Sequence, residues 1–312
     1  MAFLTLYAET ALHVGVGQEL GPIDLPIHRK RHTGLPLIPG SGLRGALRAR
    51  AKRQADQESD EETRKKQRER VTRYFGPETE AGDALEQGLL VIADALPLAM
   101  PFRSLHDVFV WVTCPLLLDR FARRTRQTLT WSSPGDGEII LAPTPPGSAT
   151  PPKLVIEDLA FTPAGQGHSL NLSQWLPDKL IQGLQAHLNA RTAILSDSDF
   201  CWLAKHCLPV AARVRLTEGK TTGEWRHPTK TGKDGQPLKT EGNLWSEEML
   251  PPDTILYAPV GEVPREKRKE ANGAVGFLRD VVNGQDAQHV LQIGGNETVG
   301  LGWCWIALKG TS

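Results

Sequence analysis

Cysteine is scarce in this chain and has no pattern: Cys114, Cys201, Cys207 and Cys304 include no Cys-x-x-Cys pair. A zinc ribbon or redox dithiol is therefore not expected, and the four read as reduced thiols of a cytoplasmic protein. No apolar run is long enough to cross a bilayer. Val108 to Leu118 is too short, so no membrane partner is expected. The N-terminal MAFLTLYAET lacks the basic stretch of a secretory signal. No segment repeats. The Gly-rich run Gly294 to Gly302 lacks the lysine of a phosphate-binding P-loop, so nucleotide hydrolysis is not supported.

The chain also lacks net charge, with 36 basic residues against 36 acidic ones. Taken alone, this argues against a nucleic-acid partner. The distribution argues the other way. From Leu25 to Ala55 there are eight Lys or Arg residues and no Asp or Glu, and the acidic residues begin directly afterwards, at Asp56. A local basic surface can hold a phosphate backbone while the rest of the protein balances it. The segment Glu61 to Arg70 reads as an ordinary solvated charge run.

Along the chain, residues 2 to 16 alternate like a strand, and the Gly/Pro-punctuated stretch 17 to 40 excludes a long helix. Ser41 is placed to cap a helix whose Leu43, Ala46 and Leu47 form an apolar stripe and whose Arg44, Arg48 and Lys52 line another face. That helix is expected to fray into the charged segment 51 to 70. Strands are expected at 89–98, 108–116, 153–162, 210–216, 255–260 and 290–293, with a last one closing the chain. Helices are expected at 116–127, 173–190 and 197–208. Residues 132 to 152, rich in Pro and Gly, suit an exposed insertion, and 217 to 242 form a Gly- and Lys-rich arm. Helices do not follow every strand, which favours one α+β domain over residues 1 to 312, built on an antiparallel sheet.

Five stretches, in order and spanning nearly the whole chain, carry a resemblance: HVGVGQELGPIDLPIHRKRHTGLPLIPGSGLRGALR at 13–48, YFGPE at 74–78, MPFRSLHDVFVWVTCPLLLDRF at 100–121, NLWSEEMLPPDTILYAPV at 243–260 and LQIGGNETVGLGWCWI at 291–306. Together they resemble the RAMP superfamily, specifically the backbone subunit of type III-B CRISPR (Cmr) effector complexes. The resemblance implies a ferredoxin-like (RRM-like) core with insertions, copies of which stack along a CRISPR guide RNA beside other Cmr subunits. It also implies a β-hairpin thumb, for which the arm 217–242 is the candidate. In such filaments the thumb interrupts guide–target pairing, and the single-stranded target RNA is cut at the displaced nucleotide. The Pro-rich stretch and the arm are longer than the simplest family pattern.

Asp24, between Gly-Pro and Leu-Pro, offers a loop carboxylate to a hard divalent cation such as magnesium or manganese. The competing reading is an Asx-turn stabilising the bend before Pro26; the resemblance favours Asp24 as the metal-binding catalytic residue, since the family's catalytic Asp lies on the matching GPIDLPI element. His13, at the end of the first strand, could orient a phosphate or assist proton transfer, or be a structural histidine. Arg29, Lys30 and Arg31 suit phosphate contact, and their repulsion argues against a metal site with His28 and His32. The helix start at Ser41, with Arg44 and Arg48, is a phosphate site in the same sense. Gly294, Gly295, Asn296 and Thr298 resemble the RAMP glycine-rich loop, where RNA can approach the backbone closely. Trp225, among the cations of the arm, suits stacking on single-stranded RNA, or belongs to a flexible polar loop. Glu247, just after the arm, could support the scissile site from a neighbouring copy. Two alternatives to a metal-dependent target-RNA endoribonuclease remain: a non-catalytic RNA-binding backbone, and a metal-independent guide-processing nuclease.

Overall fold

The computed structural model describes residues 1–77, 87–142, 152–165, 167–216, 220, 226–231, 235, 237–239, 244–263, 273–284 and 290–310. The chain begins with β1 (Phe3–Ala8), then α1 (Gly40–Asp56), α2 (Glu61–Phe75), β2 (Leu90–Ile92), β3 (Leu96–Ser104), β4 (Val108–Thr113) and α3 (Pro115–Thr125). It continues through β5 (Glu138–Leu141), β6 (Leu154–Ile156), β7 (Leu159–Pro163), α4 (Asp178–Arg191), β8 (Thr192–Leu195), α5 (Asp197–His206) and β9 (Val210–Val214). The last elements are β10 (Arg226–Thr231), β11 (Pro237–Lys239), β12 (Leu244–Glu248), β13 (Ile255–Glu262), α6 (Gly273–Asn283), β14 (Val290–Gln292) and β15 (Trp303–Lys309).

Most strands join one sheet in the order β14-β15-β1-β13-β3-β4-β8-β5-β7-β6, with β2 added on β13 and a β6–β3 pairing that folds the second half back on itself. The pairings are antiparallel except β4–β8 and β5–β7, so the sheet is mixed rather than antiparallel throughout. Strand alternation divides the core. Leu4 and Leu6 of β1 face the cluster that contains residues of α1, α2, α5 and α6, whereas Phe3 and Tyr7 face the aromatic cluster of Trp111, Phe121, Trp175 and Tyr257. A central sheet with helices on both faces makes this an α+β fold. Among the described residues no helix is long and apolar enough to cross a membrane.

Three expectations are corrected. The charged segment does not fray from the first helix: Asp60 accepts a hydrogen bond from the Thr63 amide and starts α2, whose Val71, Tyr74 and Phe75 are buried. Their apolar stripe lies at the end of a run that otherwise looks fully solvated. The Pro-rich stretch 132–152 is not exposed throughout, because β5 lies within it with Ile139 and Ile140 buried between β7 and β8. Residues 143–151 lie outside the described ones. Ser41 is not the helix cap: α1 starts one residue earlier, at Gly40, and Ser41 is exposed in its first turn. Asp94 takes the capping role by accepting from the Gly40 amide at 3.0 Å. A Cβ at Gly40 would come 2.5 Å from the Ile92 carbonyl, so only glycine lets the helix approach β2 this closely.

The apolar helix α6, not expected from the sequence, is tied to α1 by Arg50. This buried guanidinium donates to the carbonyls of Val281, Val282 and Val290, where a cation also complements the C-terminal end of α6. The arm 217–242 contains a two-stranded antiparallel pair of its own, β10 with β11.

Candidate functional site

Prolines 22, 26, 36 and 39 deny residues 14–39 a helix, and the segment folds as bridged extended pieces instead. Val16 donates to the Pro26 carbonyl at 3.1 Å and His28 to the Val14 carbonyl at 2.9 Å, closing the base of an exposed loop. The far side of this loop lies along β12. Leu25 donates to the Ser246 carbonyl at 3.0 Å, and Glu248 donates to the Leu25 carbonyl at the same distance. β12 thus has β9 on one edge and the Asp24 loop on the other.

At this junction the Asp24 Oδ2 accepts from the Ser246 amide at 2.8 Å and from the Ser246 hydroxyl at 2.7 Å. The hydroxyl in turn accepts from the Asp24 amide at 2.9 Å. The Ser246 amide and hydroxyl hold the Asp24 carboxyl below the ordinary aspartate range, so it is ionised at neutral pH. Its Oδ1 has no partner among the described residues. The Asx-turn reading fails on geometry. The bonds run to a residue 222 positions away, and the residue two positions on, Pro26, has no amide hydrogen to donate.

Glu247 and Glu248 brace this junction. Glu247 is buried and lies in the same chain, beside Leu25. Its Oε1 accepts from Trp245 at 2.9 Å, and its Oε2 accepts from Arg213 at 3.1 Å and Asn296 at 3.0 Å. Burial alone would raise its pKa, but these donors and the Arg213 charge bring it below the usual range. With both oxygens engaged, Glu247 ties β9, β12 and the Gly-rich loop together rather than presenting a carboxylate to a neighbouring copy. Glu248 pairs with Arg29 and accepts from the Ile27 amide at 3.1 Å.

The remaining expected site residues are distributed as follows. His13 is buried; its Nδ1 donates to the Glu248 carbonyl at 2.8 Å, and its own carbonyl accepts from Gly295 at 2.9 Å. A carbonyl can only accept, so Nδ1 carries the proton and the ring acts as a structural peg. Arg29 points inward, donating to the carbonyls of Gly34 and Ala204 as well as to Glu248. Lys30 pairs with Asp94, and Arg31 is exposed. Arg44 and Arg48 donate to the carbonyls of Phe75 and Gly76, closing the end of α2. Thr298 is exposed in its loop, and Trp225 lies outside the described residues. Ser246, Arg213 and Asp94 were not singled out in the sequence. The run Trp245-Ser246-Glu247-Glu248 was the available signal, because polar residues clustered in a strand need partners. Among the described residues no group of three or more His, Cys, Asp and Glu side chains could hold a metal ion.

Gly294 packs against His13 rather than opening the backbone to a ligand. Its φ is +92°, and a Cβ there would lie 2.5 Å from the His13 carbonyl. Gly294→Ala is expected to destabilise the fold by roughly 1–3 kcal/mol, read as a lower urea midpoint.

The RAMP superfamily description matches residues 5–305. The chain is 31% identical to the CRISPR system Cmr endoribonuclease Cmr4 of Pyrococcus furiosus, over 97% of this chain and 94% of that one. The crystal structure of oligomeric Cmr4 from Pyrococcus furiosus superposes with a TM-score of 0.64 at 25% identity, covering 100% of this chain and 98% of that one. A subunit in the cryo-EM structure of the type III-B Cmr-beta complex bound to cognate target RNA has the same fold, with a TM-score of 0.66 at 18% identity over 99% and 97% of the two chains. The five ordered stretches, the mixed sheet with helices on both faces and these matches agree: the chain belongs to the RAMP superfamily and is a homologue of Cmr4.

Proposed function

We propose that this chain is a backbone subunit of a type III-B Cmr effector, binding guide RNA with further copies of itself and other Cmr subunits and cutting complementary target RNA at the Asp24 loop. The observation that carries this reading is the Asp24 carboxylate itself. It is ionised, anchored through one oxygen to β12, and presents the other on a loop with no internal use for it. Homology to a Cmr endoribonuclease supports RNA as the substrate.

A carboxyl held below the ordinary range is a weak general base near neutral pH. Its negative charge is better suited to ligating a cation than to taking a proton. Asp24 Oδ1 fits magnesium or manganese as one hard oxygen ligand, since such ions commonly take one or two carboxylates and complete their shell with water and phosphate oxygens. When bound, the ion would supply charge stabilisation at the scissile phosphate. Assembled complex with matched target RNA tests the reading, using wild type with and without EDTA and the Asp24→Asn variant. Regularly spaced cuts that vanish in both treatments support it. Binding without any cut by wild type supports a purely structural backbone, and EDTA-resistant cutting of guide precursor supports a processing nuclease.

The arm is the proposed thumb. β10 and β11 pair only with each other among the described strands, so removing 221–240 in favour of a short Gly-Ser turn leaves the main sheet whole. Deletion is expected to slow target cleavage strongly with affinity unchanged or improved, because continuous A-form stacking keeps a 2′-hydroxyl out of line with its phosphate. Cleavage rate and dissociation constant at one salt concentration check this. Equal rates and equal affinities would place the thumb elsewhere.

A further inference from the structure

We propose that Ser246 is the positioning residue of the Asp24 site, fixing which carboxylate oxygen is held by the protein and which faces the RNA. The inference rests on the reading of Asp24 given above and adds a residue 222 positions away in sequence. Three hydrogen bonds join the two residues in closed rings: Ser246 amide to Oδ2 at 2.8 Å, Ser246 hydroxyl to Oδ2 at 2.7 Å, and Asp24 amide to the Ser246 hydroxyl at 2.9 Å. A serine hydroxyl has one proton to give and lone pairs to receive. Here the Asp24 amide occupies a lone pair, so the proton has a fixed direction, toward Oδ2.

The terminal torsion of an aspartate is broad and nearly two-fold. A lone loop carboxylate would exchange its oxygens freely, and a metal or phosphate would have to select one orientation on binding. Two donors on a single oxygen remove that freedom. Ser246 can impose the orientation because it is rigid itself. Its carbonyl is held by the Leu25 amide at 3.0 Å, Ala212 of β9 lies opposite it, and Glu247, the next residue, is clamped by Trp245, Arg213 and Asn296. Groups that act chemically need support of this kind from ordered elements.

Four forms of the assembled complex test the proposal: wild type, Ser246→Ala, Ser246→Thr and Asp24→Asn, each assayed with matched target RNA at neutral pH. Ser246→Ala keeps the backbone donor and removes the hydroxyl, and is expected to cut about 10- to 100-fold more slowly, the scale of a small misplacement of a reacting group. Target affinity and urea midpoint should be nearly unchanged, and Ser246→Thr, which keeps the hydroxyl, should recover most of the rate. In the isolated chain at neutral pH, the 13C NMR resonance of the Asp24 carboxyl should shift in Ser246→Ala and return toward its wild-type position in Ser246→Thr, because the hydroxyl bond to Oδ2 is lost and restored, a readout independent of cleavage. A wild-type rate and carboxyl resonance in Ser246→Ala, with Asp24→Asn inactive, overturns the positioning role while leaving Asp24 in place. Slow cleavage with a lowered urea midpoint, an unmoved carboxyl resonance and no recovery by threonine also overturns it, since Ser246 would then only support the fold. Wild-type cutting by Asp24→Asn overturns both readings.

Discussion

Complexes carrying Asp24→Asn should bind matched target RNA at least as tightly as wild type and cut it roughly a thousandfold more slowly, the scale seen when one charge-stabilising group is lost from a reacting centre. Asparagine preserves the shape of the side chain and can still accept from Ser246, so the loop keeps its place along β12. What disappears is the negative charge of a half-buried carboxylate whose second oxygen has no partner among the described residues. Losing an anion next to a polyanion removes repulsion, so affinity should stay level or rise slightly. Single-turnover cleavage and filter binding at one ionic strength separate the two effects. A cleavage rate within a few-fold of wild type would remove Asp24 from the reaction.

Arg29→Ala and Glu248→Ala should each destabilise the folded chain by roughly 3–5 kcal/mol, the range for breaking a buried ion pair on one side only. The Glu248 side chain is 5% exposed and that of Arg29 20% exposed. Either substitution leaves a charge without its partner and orphans further groups: the Ile27 amide in one case, the Gly34 and Ala204 carbonyls in the other. Arg29→Lys should rescue little, because an ammonium cannot span three acceptors with the geometry of a guanidinium. Replacing both residues with apolar ones of similar size should lose less than either single change. Chemical denaturation of the isolated chain measures these losses. If Arg29 instead contacted phosphate, Arg29→Ala would leave stability intact and flatten the salt dependence of guide binding by about one unit.

The two residues show what the sequence reveals and what it conceals. Asp24 stands out because prolines on both sides keep it from a core, a local feature. Its partner, Ser246, and the partner of Arg29, Glu248, lie more than 200 positions away, and no periodicity links them. A basic run such as Arg29-Lys30-Arg31 looks the same whether its charges meet phosphate or carboxylates folded back from elsewhere. Here Arg29 and Lys30 meet carboxylates of their own chain. The strands β4, β9, β13 and β14 were visible near their observed places, since their patterns are local too, whereas 89–98 spans the break between β2 and β3 and 153–162 is the β6–β7 hairpin rather than one strand. Elements whose apolar residues sit inside charged or Pro-rich surroundings, α2 and β5, were masked by composition. The cap of α1 was misassigned for a similar reason: Asp94, 54 positions from Gly40, does the work that Ser41 was placed to do.

β12 presents one edge to β9 and the other to Leu25, and Asp24 is bonded to Ser246 in its middle. The carboxylate therefore cannot swing away as a side chain alone without leaving the Ser246 amide unpaired. Moving the loop that carries it means parting Leu25 from Ser246 and Glu248 from Leu25, a local unfolding step rather than a rotamer change. Such openings are far slower than the picosecond-to-nanosecond hops of exposed side chains. Over the time an RNA phosphate takes to sample its approaches, the Asp24 loop behaves as a third strand of the β9–β12 ribbon, and its oxygen is as stationary as the backbone that holds it.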